Sequence, residues 1–311
     1  MSPIIEVSGL TKSFSEQHAV NDLSFTVYPA DIYGFLGQNG AGKSTTLRML
    51  LTLIAPTAGR IGIFGMDLRT HRNEILRRVG AVIERPDLYK YLTAWENLSL
   101  FARMSGIRPN HRQIMDQLEL VGLAERAHSA VKTFSQGMKQ RLGIATALVH
   151  DPDLVILDEP TNGLDPQGIA DIRNLILHLS SHRKKTIVVS SHLLSEMELI
   201  ASRMLIIDKG KKIVEGRADE LFDPARTIVE LDTADTSYTA EKIGHSQWQS
   251  FLRERRGDKF VLRMDKTQVP VFIRDMVQLG VNIRSIQPRH SLEDYFLNLT
   301  TANQHVDSFT A

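Results

Sequence analysis

The sequence contains no cysteine, so neither disulfide bonds nor metal sites built on thiolates are possible. Long apolar runs are also missing: the best candidates, residues 49–55 and 204–207, fall far short of the roughly 18 to 20 apolar residues that cross a bilayer. Residues 1–6 lack a basic region followed by an apolar core, so no signal peptide is visible. We therefore expect a cytoplasmic chain that does not itself span a membrane.

An excess of one charge is missing as well. Lysine and arginine together number 37, aspartate and glutamate 36, and the formal net charge is +1. Proteins that bind nucleic acid usually carry a basic excess or a basic stripe, so no nucleic-acid partner is predicted. With 311 residues, of which 42% are hydrophobic, the chain has the composition of one large globular domain and a smaller one.

Short apolar runs alternate with helix-length segments as far as about Glu215. This alternation predicts an α/β domain around a mostly parallel, buried sheet, which we assign to residues 1–219. Two stretches depart from the pattern. Residues 4–7 and 23–27 are typical of strands in an added antiparallel layer, because no helix lies between them. The residues from about 90 to 143 are almost wholly helical, which predicts a helical insertion.

A second, smaller α+β domain is predicted over residues 220–311, after a polar stretch that Asp223-Pro224 interrupts. Its predicted elements are, in order, a strand at 228–231, a helix around 248–253, a strand at 260–264, a helix at 271–279, a strand at 281–286 and a helix at 292–299.

A glycine-rich motif follows the predicted strand at 32–36. It fits the P-loop pattern G-x-x-x-x-G-K-[ST] with Gly37, Gln38, Asn39, Gly40, Ala41, Gly42, Lys43 and Ser44. The glycines let successive backbone N–H groups turn toward one anion, and the following helix adds its positive end. Lys43 would contact the β- and γ-phosphates, Ser44 would ligate Mg²⁺ and Thr45 would donate to the α-phosphate. A chance match has a probability on the order of one per cent in a chain of this length, so ATP with Mg²⁺ is predicted.

Two carboxylates close a buried strand further along the chain. Asp158 and Glu159 follow the apolar residues 154–157, at the sheet edge where such nucleotides bind. Asp158 is placed to hold Mg²⁺ through water, and Glu159 to orient and deprotonate the attacking water. By itself an acidic pair at this place is more often a solvated strand end; behind a P-loop, the catalytic interpretation is favoured.

Three further segments follow the order found in one family. Residues 133–141 (Thr-Phe-Ser-Gln-Gly-Met-Lys-Gln-Arg), 160–165 (Pro-Thr-Asn-Gly-Leu-Asp) and 190–192 (Ser-Ser-His) resemble the signature, D-loop and H-loop of ABC ATPases. Each is weak alone, but five elements in family order are not accidental. The chain is therefore identified as a member of the ABC ATPase family over residues 4–215, and a P-loop NTPase core is implied.

The resemblance implies roles that spacing alone does not. In ABC ATPases two subunits enclose two ATP molecules, and the signature of one meets the γ-phosphate held by the other. By position, Ser135 and Gly137 would make that contact, His192 would bond the γ-phosphate, and Asp165 would couple the two sites across the dimer. Phe14 matches the aromatic residue that stacks on adenine, although a buried strand-end phenylalanine is the alternative.

Two positions depart from the family pattern. The signature has Phe134 and Gln136 where leucine and glycine are usual, and this form resembles the branch with drug, bacitracin and lantibiotic exporters. Glu84 stands where the Q-loop glutamine is expected; as a carboxylate it remains a candidate Mg²⁺ ligand, the alternative being a solvent-facing strand end. The insertion also contains three aromatic residues that are candidates for contact with a membrane partner: Tyr89, Tyr91 and Trp95. For Trp95, packing in the core is the alternative.

Together these features predict the ATP-hydrolysing subunit of an ABC transporter, most similar to exporters. The resemblance implies a homodimer that sandwiches ATP and energises a separate polytopic membrane permease, so that the chain would sit peripherally on the inner face of the cell membrane. A non-transport ABC protein acting on nucleic acid or ribosomes is the alternative. Such proteins usually carry tandem cassettes, long coiled coils or strongly basic segments, which this sequence lacks.

Overall fold

The computed structural model describes residues 2–15, 17–223 and 227–290. The chain divides into two compact units, Met1–Arg217 and Ala218–Ala311. The elements of the first unit are, in chain order, β1 (Ile5–Phe14), β2 (Gln17–Val27), β3 (Ile32–Leu36), α1 (Lys43–Leu50), β4 (Ala58–Ile63), β5 (Met66–Asp67), α2 (Arg72–Leu76), β6 (Val79–Val82), α3 (Ala94–Met104), α4 (His111–Leu120), α5 (Gln136–Leu148), β7 (Leu154–Leu157), α6 (Pro166–Ser181), β8 (Thr186–Ser191), α7 (Leu194–Ile200), β9 (Arg203–Asp208) and β10 (Lys211–Arg217).

The central sheet of this unit has the strand order β10-β9-β3-β8-β7-β6. The five strands from β9 to β6 run parallel, and β10 pairs antiparallel with β9. Every residue of β3, β7 and β8 is buried, as expected for parallel strands covered by helices on both faces. The carboxyl ends of β3, β7 and β8 therefore lie side by side, and the motifs that follow them meet at one edge.

An antiparallel sheet, in the order β2-β1-β4-β5, forms a second layer. Its first two strands are longer than predicted, because they continue to Phe14 and start at Gln17. Phe25 of β2 contacts the rings of Tyr33 and Phe35 in β3, with centroids 5.8 and 5.0 Å apart. This aromatic cluster packs the layer onto the central sheet.

The predicted helical insertion contains α3, α4 and α5. The first two helices begin with reciprocal capping boxes, Thr93 with Glu96 and Asn110 with Gln113, which satisfy backbone N–H groups at each start. Hydrogen bonds from Thr93 to the Glu96 carboxylate lower the pKa of Glu96. The α/β class with an added antiparallel layer and a helical insertion is confirmed.

The second unit contains α8 (Ala218–Leu221), β11 (Thr227–Thr233), α9 (Thr236–Gly244), β12 (Leu252–Arg256), β13 (Lys259–Met264), α10 (Val269–Gln278) and β14 (Ile283–His290). Its strands form an antiparallel sheet in the order β12-β13-β11-β14. Alternate residues of β11 are buried, and this face packs with Trp248, Phe272 and Met276 into a core of its own. The α+β character is that predicted.

Two details of this unit differ from prediction. The helix predicted around 248–253 is wrong: Gln247–Phe251 forms a 3-10 turn and residues 252–256 form β12. Helix α9 was not predicted, since only Thr239 and Ile243 are buried along it and its apolar stripe is correspondingly narrow. The helix predicted at 292–299 lies outside the described residues.

Candidate functional site

The glycine-rich loop at 37–42 joins β3 to α1 and is held tightly on two sides. A Cβ on Gly37 would lie 2.4 Å from the carbonyl oxygen of Ile207 in β9. A Cβ on Gly42 would lie 2.5 Å from the carbonyl oxygen of Ala19 in β2, and Gly42 has φ +107°. Both positions exclude side chains, so the loop is fixed between the central sheet and the antiparallel layer.

The start of α1 is open to an anion. Its N-cap residue is Gly42, no acidic residue lies in its first turn, and no side chain of the described residues caps it. The N–H groups of a first helical turn have no partner within the helix, and the helix dipole favours negative charge at this end. Ser44 and Thr45 lie in this turn and are partly exposed. The loop therefore fits a phosphate group.

Lys43 is 5% exposed, and its ammonium points back across the loop. Nζ donates to the carbonyl oxygens of Gly37 at 2.6 Å and Gln38 at 3.1 Å. It also forms an ion pair with Oε1 of Glu159 at 3.1 Å. These contacts compensate the burial of a charged group and hold the cation beside the open amides of α1.

Asp158 is buried at the end of β7, with 1% of its surface exposed. The hydroxyl of Ser190, in the neighbouring strand β8, donates to its Oδ1 atom at 2.5 Å. Its Oδ2 atom is buried without a hydrogen-bond partner in the described part of the chain. Because a buried carboxylate oxygen is costly to leave unpaired, this atom fits a cation bound beside it.

Magnesium fits this arrangement on a second ground. Among the described residues, no three His, Cys, Asp or Glu side chains cluster as a complete metal site. Mg²⁺ is usually held by one or two carboxylates, waters and substrate phosphates rather than by a cage of protein ligands. A single carboxylate beside a phosphate loop is the donor set that such an ion needs.

Glu159 connects the loop with β8. Its two carboxylate oxygens are divided between Lys43 and the Nδ1 atom of His192, which is 2.8 Å from Oε2. Its backbone N–H donates to the hydroxyl of Ser190 at 2.8 Å, and its φ of +48° is unusual for a residue with a side chain. Since a carboxylate only accepts, Nδ1 of His192 is the donor in this pair.

Ser190 was missed by the sequence reasoning as a site residue. Its single hydroxyl accepts from the Glu159 backbone and donates to Asp158, so it sets the positions of both carboxylates. The available signal was a pair of serines, Ser190 and Ser191, after the apolar residues 187–189. Such a pair is too common to identify a contact with residues 31 and 32 positions earlier.

Within the described residues, Glu84 shares no hydrogen bond or ion pair with Lys43, Asp158 or Glu159. It has φ +60°, its side chain is largely exposed, and it forms an ion pair with Arg48 of α1. The pairing with Arg48 was also missed. Phe14 ends β1 with half of its surface exposed, which rules out the alternative of a buried strand-end residue, and Lys12 Nζ lies 4.9 Å from its ring centroid.

Ser135, Gly137 and Asp165 lie at helix starts. Ser135 caps α5 by accepting from the N–H of Met138 at 3.2 Å, which leaves its own O–H free to donate. Asp165 caps α6 by accepting from the N–H of Gly168 at 3.1 Å. In the described residues, no hydrogen bond or ion pair joins these three to the glycine-rich loop.

Gly137 has neither a positive φ nor a neighbour within 4 Å of the place where its Cβ would lie. Nothing in the packing of the described residues therefore requires glycine there, and the surface beside Gly137 is open. Of the aromatics predicted at the surface, Tyr89 and Tyr91 are exposed, whereas Trp95 is half-buried with its ring 6.3 Å from that of His111.

Comparison with known proteins decides the family. Residues 20–162 match the family described as ABC transporter. The bacitracin transport ATP-binding protein BcrA of Bacillus licheniformis is 43% identical over 301 residues, covering 96% of this chain and 98% of the relative. The chain belongs to the ABC transporter ATP-binding proteins. The lantibiotic transport ATP-binding protein SrtF of Streptococcus pyogenes is 40% identical over 216 residues, covering 70% of this chain and 92% of that protein.

Solved structures agree with this assignment. CbiO1 of Clostridium perfringens, part of the ABC transporter complex cbiONQ, superposes with a TM-score of 0.65 at 26% identity and covers 71% of this chain and 91% of its own. The ABC ATPase fold is thereby confirmed. The dimeric ATP-binding cassette MJ0796, bound to ADP and Pi, has a TM-score of 0.62 at 24% identity, covers 69% of this chain and 98% of its own, and supports the fold alone.

As an ABC transporter ATP-binding protein, the chain binds and hydrolyses ATP and energises a membrane permease. Through that permease it is associated with the membrane. Within residues 2–15, 17–223 and 227–290, no helix combines the length and apolar character that crossing a bilayer requires.

Proposed function

We propose that two copies of this chain enclose two Mg·ATP between them, each copy completing the site of the other. Phe14, half exposed at the end of β1, stacks on the adenine. The phosphates lie on the amides of residues 37–45. Asp165 couples the two sites across the dimer.

The metal would be held by Ser44 and by the buried Asp158, whose free Oδ2 atom supports this role. When bound, Mg²⁺ neutralises phosphate charge and aligns the β- and γ-phosphoryl oxygens. Ser190 keeps Asp158 in place. Lys43 supplies a second positive charge beside the phosphates. The hydrogen bond from its Nζ atom to the carbonyl oxygen of Gly37 supports this role, because it holds the ammonium at the phosphate loop.

Glu159 is the proposed general base, and His192 the residue that orients it. The 2.8 Å contact between them supports this pairing. Because Nδ1 of His192 donates to Glu159, Nε2 is the ring atom left for the γ-phosphate, and donation from it requires the imidazolium form. The ring thus holds the carboxylate in line with a water at the end of β7.

Glu84 is proposed to act as the counterpart of the Q-loop glutamine and as a further ligand near the metal. Its ion pair with Arg48 joins it to α1, the helix that starts at the phosphate loop. A shift of Glu84 toward the metal would break its ion pair with Arg48. The position of Glu84 would then be coupled to α1, the helix that follows the phosphate loop.

The transport direction is proposed to be outward, from the cytoplasm, with the chain on the inner face of the cell membrane. Relatives named for bacitracin and lantibiotic transport support this assignment, and a peptide antibiotic is the first cargo to test. The ATPase domain is proposed to span residues 1–219 and the accessory domain 220–311, which the division after Arg217 supports.

The observation that carries the two-copy site is the bare start of α5. The Ser135 hydroxyl and the Gly137 backbone are available there, yet in the described part of the chain neither forms a hydrogen bond with the phosphate loop. The packing of the described residues does not explain the glycine at 137. A position without a side chain on this surface would allow the phosphates of an ATP bound to the other copy to approach the backbone closely.

The test is the dependence of ATP hydrolysis on protein concentration. Specific activity is expected to rise with chain concentration and to level off when dimers with Mg·ATP predominate in light scattering. Equal specific activity at all concentrations from an obligate monomer would refute the shared site. Co-purification with the permease, and stimulation of the complex by bacitracin or a lantibiotic, test the transport assignment separately.

A further inference from the structure

The start of α5 and the turn after β7 touch each other within one chain. Gln136, the first residue of α5, is exposed, and its side-chain Nε2 donates to the carbonyl oxygen of Asn162 at 3.4 Å. The usual ABC signature has glycine at this position and so has no side chain there to make this contact. The contact therefore belongs to this chain's variant of the motif.

The partner turn is shaped to receive that side chain. Gly163 has φ +74°, and a Cβ there would lie 2.8 Å from Nε2 of Gln136. The rest of the turn is closed by hydrogen bonds from the Asn162 N–H to the Glu159 carbonyl at 3.1 Å and from the Leu164 N–H to the Thr161 carbonyl at 3.2 Å. Glycine suits the positive φ of this turn, and its missing side chain leaves room for the amide of Gln136.

This turn leads directly from the candidate base to the cap of α6. It starts at Glu159 and ends beside Asp165, whose carboxylate accepts from the N–H of Gly168. On its other side, the Thr161 hydroxyl donates to Glu196 of α7 at 2.6 Å. The amide of Gln136 adds a contact from α5, so the turn is fastened to helices on both sides.

We infer that Gln136 is a positioning residue that holds the D-loop turn against the signature end of α5, so that both are presented to the second copy as one surface. The inference rests on the proposed two-copy site. Among the described residues, Gln136 forms no hydrogen bond with the phosphate loop or with Asp158 or Glu159. It therefore acts on turnover through the geometry of the D-loop.

Two substitutions distinguish the effect of the hydrogen bond from the effect of having a side chain at position 136. Gln136→Gly restores the residue usual in the family, and Gln136→Glu keeps length and shape but cannot donate to a carbonyl oxygen. Gln136 is exposed, so both variants are expected to fold. Gln278→Glu is the matched control, because Gln278 is an exposed glutamine of α10 in the other unit.

The first measurement is hydrogen exchange of the backbone amides of residues 161–165 in the full chain. Loss of one hydrogen bond of this kind predicts exchange that is about threefold faster or more in both Gln136 variants, and no change in Gln278→Glu. The second measurement is hydrolysis: kcat is expected to fall at least threefold while the affinity for ATP stays unchanged. Unchanged exchange and unchanged kcat in both variants would overturn the inference.

A double-mutant cycle distinguishes a specific coupling between Gln136 and Gly163 from a general loss of stability. Gly163→Ala places a methyl group against Nε2 of Gln136, and its effect on kcat is expected to be smaller when Gln136 is already glycine. Strictly additive effects would contradict the coupling. Should the specific activity of the wild-type chain prove independent of protein concentration while the variants still exchange faster, the proposed two-copy site fails and the positioning contact stands.

Discussion

The ammonium of Lys43 and the carboxylate of Glu159 form an ion pair, with Nζ 3.1 Å from Oε1. The two residues belong to different motifs, 116 positions apart in the sequence, and meet because β3 and β7 both flank β8 in the central sheet. The cation of the candidate phosphate loop and the candidate base are therefore neighbours, and a change to one alters the electrostatic environment of the other.

Replacement of Glu159 by glutamine keeps the size of the side chain and removes its ability to accept a proton. Turnover is expected to fall by a factor of about 10² to 10⁴, whereas ATP is still bound, so that dimers accumulate in light scattering with Mg·ATP. Glu198→Gln is the matched control, since Glu198 is an exposed glutamate of α7. Fast hydrolysis by Glu159→Gln would remove Glu159 from the role of base.

Replacement of Ser135 by arginine places a long side chain at the bare start of α5. Binding of ATP to the separate chain is expected to remain normal, because Ser135 does not contact its own phosphate loop, while hydrolysis stops. Nucleotide binding by fluorescence titration and phosphate release give the two readings. Ser250→Arg, at an exposed serine of the second unit, should change neither. A collapse of ATP affinity in Ser135→Arg contradicts the contact between copies.

Replacement of Ser190 by alanine removes the hydroxyl that holds both Asp158 and the backbone of Glu159. We expect the free energy of unfolding to fall by about 1 to 3 kcal/mol, because a buried carboxylate oxygen and a backbone N–H lose their partner. We also expect turnover to fall at least tenfold. Denaturant unfolding and phosphate release measure these effects, with Ser181→Ala on the exposed face of α6 as the control. Wild-type turnover in a fully folded Ser190→Ala would show that the hydroxyl is dispensable.

Replacement of Glu84 by glutamine restores the usual Q-loop residue. Hydrolysis by the purified subunit is expected to stay within about twofold of wild type, because an amide oxygen can also serve the metal. Stability should change by less than about 1 kcal/mol, since the ion pair with Arg48 is at the surface. A complete loss of hydrolysis would mean that the carboxylate performs a step that an amide cannot.

The parts of the candidate site that consist of contiguous residues could be proposed from the sequence alone. A local sequence pattern identifies residues 37–44 and the pair Asp158-Glu159, and an apolar run before each indicates the preceding strand. Ser190 could not be found in this way, because its role depends on strand β8 lying beside β7. The same holds for Arg48, whose partner Glu84 is 36 positions away.

The second unit shows why short elements escape such prediction. Trp248 and Phe251 have the i, i+3 spacing of a helix, and both turn toward the core, but the segment is a 3-10 turn. Trp248 is fixed there by donation from Nε1 to Asp275 at 2.9 Å. Strand β12 has no apolar alternation and exists through its backbone pairing with β13, which side-chain patterns do not record.

The clamping of Gly37 and Gly42 between the carbonyl oxygens of Ile207 and Ala19 has a consequence for the working cycle. A loop wedged between two sheets cannot swing aside to admit or release a nucleotide unless those sheets part. If two copies share the site as proposed, the exchange of ADP for ATP is expected to depend on how far the copies separate, while the loop at 37–42 keeps its conformation.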